Sequence, residues 1–127
     1  MKLNPTNTAI VKRLLVGRNS RPLKSILLRV EPADLASLVT QLPKLEKRRL
    51  IDALLSVQKA GTVLEQVPEG QLEPILETMD DEKLARILKH SSISEGSFLL
   101  QFVDQSRHEP LLVNLSSEKK EKLLQFL

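Results

Sequence analysis

Leu35-Ala36-Ser37-Leu38-Val39-Thr40-Gln41-Leu42-Pro43 returns 37 residues later as Leu72-Glu73-Pro74-Ile75-Leu76-Glu77-Thr78-Met79-Asp80. The shift sets Leu35, Leu38, Val39 and Leu42 on Leu72, Ile75, Leu76 and Met79. A further shift of 36 sets Ile75, Leu76, Met79 and Asp80 on Leu111, Leu112, Leu115 and Ser116. Apolar residues at positions i, i+3, i+4 and i+7 share one face of an α-helix. A helix with one apolar face cannot bury it alone, so repeated helices must stack on one another. Helices this short do not persist in isolation, and tertiary packing has to hold them.

Working outward, the same rhythm fills the chain. Leu50, Ile51, Leu54 and Leu55 share a face, as do Val63, Leu64 and Val67, then Leu84, Ile87 and Leu88. Leu99, Leu100, Phe102 and Val103 follow, and Leu123, Leu124 and Leu127 close the series. Towards the N-terminus, Ala9, Ile10, Val11, Leu14 and Leu15 form a face that Gly17 and Asn19 end, and Leu23, Ile26, Leu27 and Val30 form the next. Helix-start signals stand at Ser20-x-Pro22, Glu31-Pro32, Pro43, Ser56, Pro68, Asp80, Ser92, Ser106 and Ser116. Proline suits a first turn because its missing N–H would be unpaired there, and Ser or Asp accepts from the free N–H groups. Ser92-x-x-Glu95 and Ser106-x-x-Glu109 have the spacing of a capping box. From Glu31 on, these marks recur about every 12 residues, so the repeat can hold one, two or three helices. No segment alternates with period two for long enough to make a strand. The expected fold is all-α: a compact, armadillo-like superhelix of about nine or ten short helices, forming one domain over residues 1–127.

Composition narrows the function. With no cysteine there are no disulfides and no thiolate metal sites. The only aromatics are Phe98, Phe102 and Phe126, so the core is aliphatic. No apolar run reaches signal-peptide or membrane-spanning length, which predicts a cytoplasmic protein with no direct membrane insertion. The net charge of +3 is unevenly spread: residues 1–49 carry 11 Lys+Arg against 3 Asp+Glu, and residues 50–82 carry 1 against 8. A polarised surface steers partners more than it shapes the fold.

The chemistry-bearing residues are few. His90 and His108 have no second ligand at metal spacing, and His90 sits where a helix end favours cations. There is no phosphate-binding glycine loop and no nucleophile motif, so no catalytic site and no cofactor are expected. Lys44, Lys47, Arg48 and Arg49 are the candidate contacts for a polyanion or a protein partner. Without interleaved aromatics they cannot stack bases, which argues against nucleic acid. Their plainer reading is the solvated face of the helix carrying Leu50 and Leu54. Glu77, Asp80, Asp81 and Glu82 are the candidate ligands for Mg²⁺, which takes carboxylate oxygens and waters. Their plainer reading is a capped, solvated helix start.

The run Val30-Glu31-Pro32-Ala33-Asp34-Leu35-Ala36-Ser37-Leu38, continuing to Gln41-Leu42-Pro43, resembles the opening of the N-terminal domain of MgtE magnesium transporters. Glu31 stands where His is common in that family. Ala60-Gly61-Thr62-Val63-Leu64 and Leu84-Ala85-Arg86-Ile87-Leu88 continue the likeness, which is best over about residues 22–105. It implies a superhelix of short helices that precedes CBS domains and a pore and helps to sense Mg²⁺ through acidic residues. Here the family's acidic positions fall on Thr62, Ser94 and Phe98, none of which supplies a carboxylate. The middle domain of the flagellar switch protein FliG has similar short-helix repeats.

The expected function is a non-catalytic protein-interaction or regulatory module without the CBS or transmembrane parts. The alternatives are a Mg²⁺ sensor acting with a separate transporter, a FliG-like switch component, and a fragment of a longer transporter, since Leu127 ends on a helical pattern. The oligomeric state is left open by the sequence.

Overall fold

A computed structural model describes residues 1–17 and 20–127; Asn19, expected to end the first helix, lies outside them. Among the described residues there are ten α-helices and no strand: α1 (Pro5–Val16), α2 (Ser20–Leu27), α3 (Pro32–Gln41), α4 (Lys44–Ser56), α5 (Ala60–Leu64), α6 (Glu69–Thr78), α7 (Asp81–His90), α8 (Ile93–Leu100), α9 (His108–Leu112) and α10 (Ser117–Gln125). A single 3-10 turn, Gln105–Arg107, leads into α9. The contacts divide the chain into two compact units, Met1–Val67 and Pro68–Leu127. The first holds α1–α5 and the second α6–α10.

The structure settles the length of the repeat. α3 begins at Pro32 and α6 at Glu69, α4 begins at Lys44 and α7 at Asp81, each pair 37 residues apart, and one more short helix follows each pair. The period is therefore three helices. A third copy starts 36 residues on, with the 3-10 turn at Gln105 and α10 at Ser117. The corners match as well. Leu42 and Pro43 are both extended, at ψ 146° and 162°, and Met79 and Asp80 repeat this at 136° and 162°. A residue before proline is pushed out of the α region, which sets Leu42. Asp80 reaches the same conformation by another route, because an N-cap side chain must leave the helix to accept from its first turn. Ser91-Ser92 makes a third such corner, at ψ 154° and 166°.

The aliphatic faces go inside. In the first unit Leu27, Leu35, Leu50, Leu54 and Leu64 are fully buried, and in the second Leu72, Leu76, Leu84, Ile87, Leu88 and Leu99. Full burial of such a side chain is worth about 1.5–3 kcal/mol. Met79, Phe102 and Leu115 are only half-buried, and Leu124 and Leu127, expected on a core face, are exposed. Within the second unit Gly96 of α8 lies against α10, where an added Cβ would stand 2.8 Å from Cδ2 of Leu123.

Two of the expected helix starts are displaced. Ser56 is the last residue of α4, with its hydroxyl donating to the Ala53 carbonyl, and not the start of α5. Instead α4 ends in a Schellman motif, with Gln58 N–H on the Leu55 carbonyl at 3.1 Å and Lys59 N–H on the Leu54 carbonyl at 2.9 Å. The motif needs a left-handed residue, usually glycine, and here Gln58 takes it at φ 60°. The second displaced start is Ser106, which lies within the 3-10 turn and gives its own N–H to Asp104, so Ser106-x-x-Glu109 does not close a capping box. Ser92-x-x-Glu95 does, with both hydrogen bonds at 3.0 Å. Gln58→Gly should raise stability by roughly 0.5–1 kcal/mol through relief of the left-handed strain, read as a higher urea midpoint at unchanged slope.

Candidate functional site

The last carbonyls of every helix lack partners within the helix. In this protein long basic side chains from farther along the chain fill that need. Arg49 of α4 donates to the Leu15 carbonyl near the end of α1 at 3.2 Å. Lys59 spans the Leu27 and Val30 carbonyls after α2, at 2.8 and 3.1 Å. In the second unit Arg107 reaches the Leu76 and Met79 carbonyls at the end of α6, at 3.1 and 2.7 Å. Lys119 spans the Lys89 and Ser91 carbonyls at the end of α7, both at 2.7 Å. His108 turns Nε2 to the Leu100 and Val103 carbonyls, at 3.1 and 3.0 Å. Two carbonyl oxygens can only accept, so that nitrogen carries the proton. A positive charge at a helix C-terminus also opposes the negative end of the helix dipole.

The candidate cation ligands divide by role. Asp80 is the N-cap of α7, its Oδ1 accepting from Lys83 N at 2.8 Å. Asp81 is held by Arg107, whose Nη2 and Nε lie 2.7 and 3.0 Å from Oδ1. Glu77, on the last turn of α6, and Glu82 are exposed. Among the described residues no three His, Asp or Glu side chains are grouped to hold a metal ion. Asp81 and Glu82 instead border a cleft of about 310 Å³ between α7 and α9, with Arg86 and Lys89 along the same helix and Pro110 and Asn114 across it. That rim mixes both signs of charge.

The basic run divides too. Arg49 caps α1, whereas Lys44 and Arg48 are exposed one turn apart on α4, and Lys47 is half-buried on the side of Leu50 and Ile51. The charge asymmetry persists by unit. Residues 1–67 carry 12 Lys+Arg against 5 Asp+Glu, a net +7, and residues 68–127 carry 7 against 11, a net −4. Burial pulls the Lys59 and Lys119 ammonium groups below the ordinary lysine value of 10.5. The Ser106 backbone N–H, aided by the charges of His108 and Arg107, holds Asp104 below 3.8. A hydrogen bond from Lys122 does the same for Glu118, below 4.5.

Residues 30–127 match the family described as the MgtE intracellular N domain. The chain belongs to that family. The match begins somewhat later than the resemblance read from the sequence and runs on through α9 and α10. Among curated proteins and among solved structures nothing matches the chain. As an MgtE N domain it is all-helical, and no helix among the described residues is long and apolar enough to cross a membrane. At the three positions that the resemblance equates with acidic sensing residues, Thr62 is half-buried in α5 and Ser94 exposed on α8. Phe98 is half-buried and packs edge-on against Phe102, with centroids 5.2 Å apart and planes at 63°. An aromatic pair stands there in place of a carboxylate.

The cationic caps escaped the sequence reading because each lies 28–34 residues from the carbonyls it serves, apart from His108. A long cation at the start of one helix, about one repeat after the end of another, is the signal that could have found Lys59, Arg107 and Lys119. Arg107→Met should cost roughly 1.5–3 kcal/mol, the worth of charge-assisted hydrogen bonds that leave carbonyls unsatisfied when removed. Asp81→Asn should cost under about 1 kcal/mol, as expected of an exposed ion pair. Equal losses in urea unfolding would show that the ion pair, and not the carbonyl cap, is what matters. The lysine caps have a pH signature. Their folded pKa lies below the unfolded one, so the unfolded chain binds more protons in between, and stability rises as pH climbs towards 10.5. Lys119→Met should flatten that rise in unfolding measured from pH 8 upwards.

Proposed function

We propose that this chain is a non-catalytic interaction and regulatory module of the cytoplasm, and that it acts by binding a protein partner. Membership of the MgtE intracellular N domain family carries the reading, together with the replacement of the family's acidic positions by Thr62, Ser94 and Phe98. Partner recognition rests on charge: the +7 of residues 1–67 is exposed at Lys44 and Arg48, which we take as contacts together with Lys47. Arg49 lies beside them and has its own structural task on α1. Polarised surfaces of this kind speed encounter with a partner of opposite sign and lose their effect as salt screens them.

The test is thermal unfolding of the full chain with and without millimolar Mg²⁺, with Na⁺ added to match ionic strength. A module without a cation site should melt at the same temperature in both. A ligand at about ten times its dissociation constant adds roughly 1.4 kcal/mol, a rise of several degrees at this size. A Mg²⁺-specific rise of that order, lost on replacing Asp80 or Asp81, would overturn the reading in favour of a cation sensor built from Glu77, Asp80, Asp81 and Glu82.

A further inference from the structure

Two helix faces, one in each unit, are complementary in charge and in relief, and the chain supplies both. On the first unit the outer side of α1 carries Lys12 and Arg13, and α4 adds Lys44 and Arg48 one turn apart. All four are exposed, and none takes a side-chain partner among the described residues. Two large apolar side chains stand out of this basic ground, Val16 at 61% exposure and Leu45 at 53%. Arg49 ties the two helices together there: its hydrogen bond to Leu15 fixes the end of α1, next to Val16, against the side of α4 that also carries Leu45 one turn earlier.

On the second unit α6 shows the opposite face. Glu69, Glu73 and Glu77 fall at i, i+4 and i+8, all exposed and none with a partner among the described residues. At a rise of 1.5 Å per residue they span about 12 Å along the helix. Beside them Gly70 and Pro74, also one turn apart and exposed, form a smooth strip, and a Cβ added at Gly70 would meet nothing within 4 Å. Three like charges in line repel one another along a helix, an arrangement that opposite charge relieves. Projecting Val16 and Leu45 amid cations fit a smooth strip flanked by carboxylates.

We propose that the α1–α4 face is a docking surface for α6 of a second copy of this chain, the cations meeting the glutamates and the two apolar side chains covering Gly70 and Pro74. The contact is heterologous, because the two faces differ. It goes beyond the proposed function, which leaves the partner open, and stands whether or not a further protein binds.

The experiment is sedimentation of the full chain at about 20 mM and 300 mM NaCl, the range over which screening takes hold. The wild type should associate with rising concentration at low salt and at least tenfold more weakly at high salt. Glu73→Lys/Glu77→Lys leaves both faces basic and should be monomeric, and Lys44→Glu/Arg48→Glu, which sets two carboxylates against Lys12 and Arg13 and cancels the positive charge of the α1–α4 face, should be monomeric too. An equimolar mixture of the two should associate again, since the basic α1–α4 face kept by one variant meets the acidic α6 kept by the other. Gly70→Trp, placed in open space, should melt no lower than the wild type yet weaken association. A monomeric wild type at low salt, association that survives in either charge variant, or a mixture that stays monomeric overturns the proposal. So does a wild type that stays monomeric while sedimenting with phosphatidylserine vesicles, which would assign the α1–α4 face to an anionic membrane.

Discussion

A stack of helices five to thirteen residues long has many ends for its length, and each end leaves backbone groups without a partner in the helix. Satisfying them is the constraint on which the remaining structure depends. At the N-termini the solution is local: Asn4, Asp80, Ser92 and Ser116 accept from their own first turns. At the C-termini of α1, α2, α6 and α7 it is long-range, since Arg49, Lys59, Arg107 and Lys119 come from elements roughly one repeat farther along the chain. The C-terminal caps therefore do two things at once. They saturate carbonyls, and they pin a later helix to an earlier one within the same unit. Among the described residues no buried side-chain nitrogen or oxygen is left without a partner, as a fold this rich in helix ends requires.

That division of labour separates structural charge from free charge. Arg49, Lys59, Arg107 and Lys119 are committed to carbonyls, Asp80 to a helix start and Asp81 to Arg107. The charges without a side-chain partner include Lys12, Arg13, Lys44 and Arg48 in the first unit and Glu69, Glu73 and Glu77 in the second. The MgtE N domain scaffold thus keeps its helical frame, while Phe98 and Phe102 fill with aromatic packing a place the resemblance assigns to a carboxylate.

Most of the frame was legible in the sequence, because it follows from local rules. The apolar spacing of Leu35, Leu38 and Val39 dictates a buried helix face, and Pro43, Asp80 and Ser92 dictate where the next helix starts. The resemblance carried by Val30 to Pro43 gave the family. The sequence misread Ser56 because glycine is absent from the end of α4 and Gln58 takes the left-handed position without announcing it. It misread Ser106 because Asp104, two residues earlier, competes for the same N–H. The runs Lys44–Arg49 and Glu77–Glu82 looked like clusters only because their members are neighbours in sequence. A helix distributes neighbours around its circumference, and here that sends Arg49 to α1, Lys47 to the core side and Asp81 to Arg107.

The sequence by itself determined the helical class, the apolar faces, the repeated corners and the imbalance of charge, since each depends on residues within a turn or two of one another. The tertiary structure alone decided the three-helix period and which cations cap which helix ends. It also decided which charges are left exposed to meet a partner. Those outcomes depend on contacts across 28–34 residues, and such contacts exist only once buried leucines have brought distant helices together.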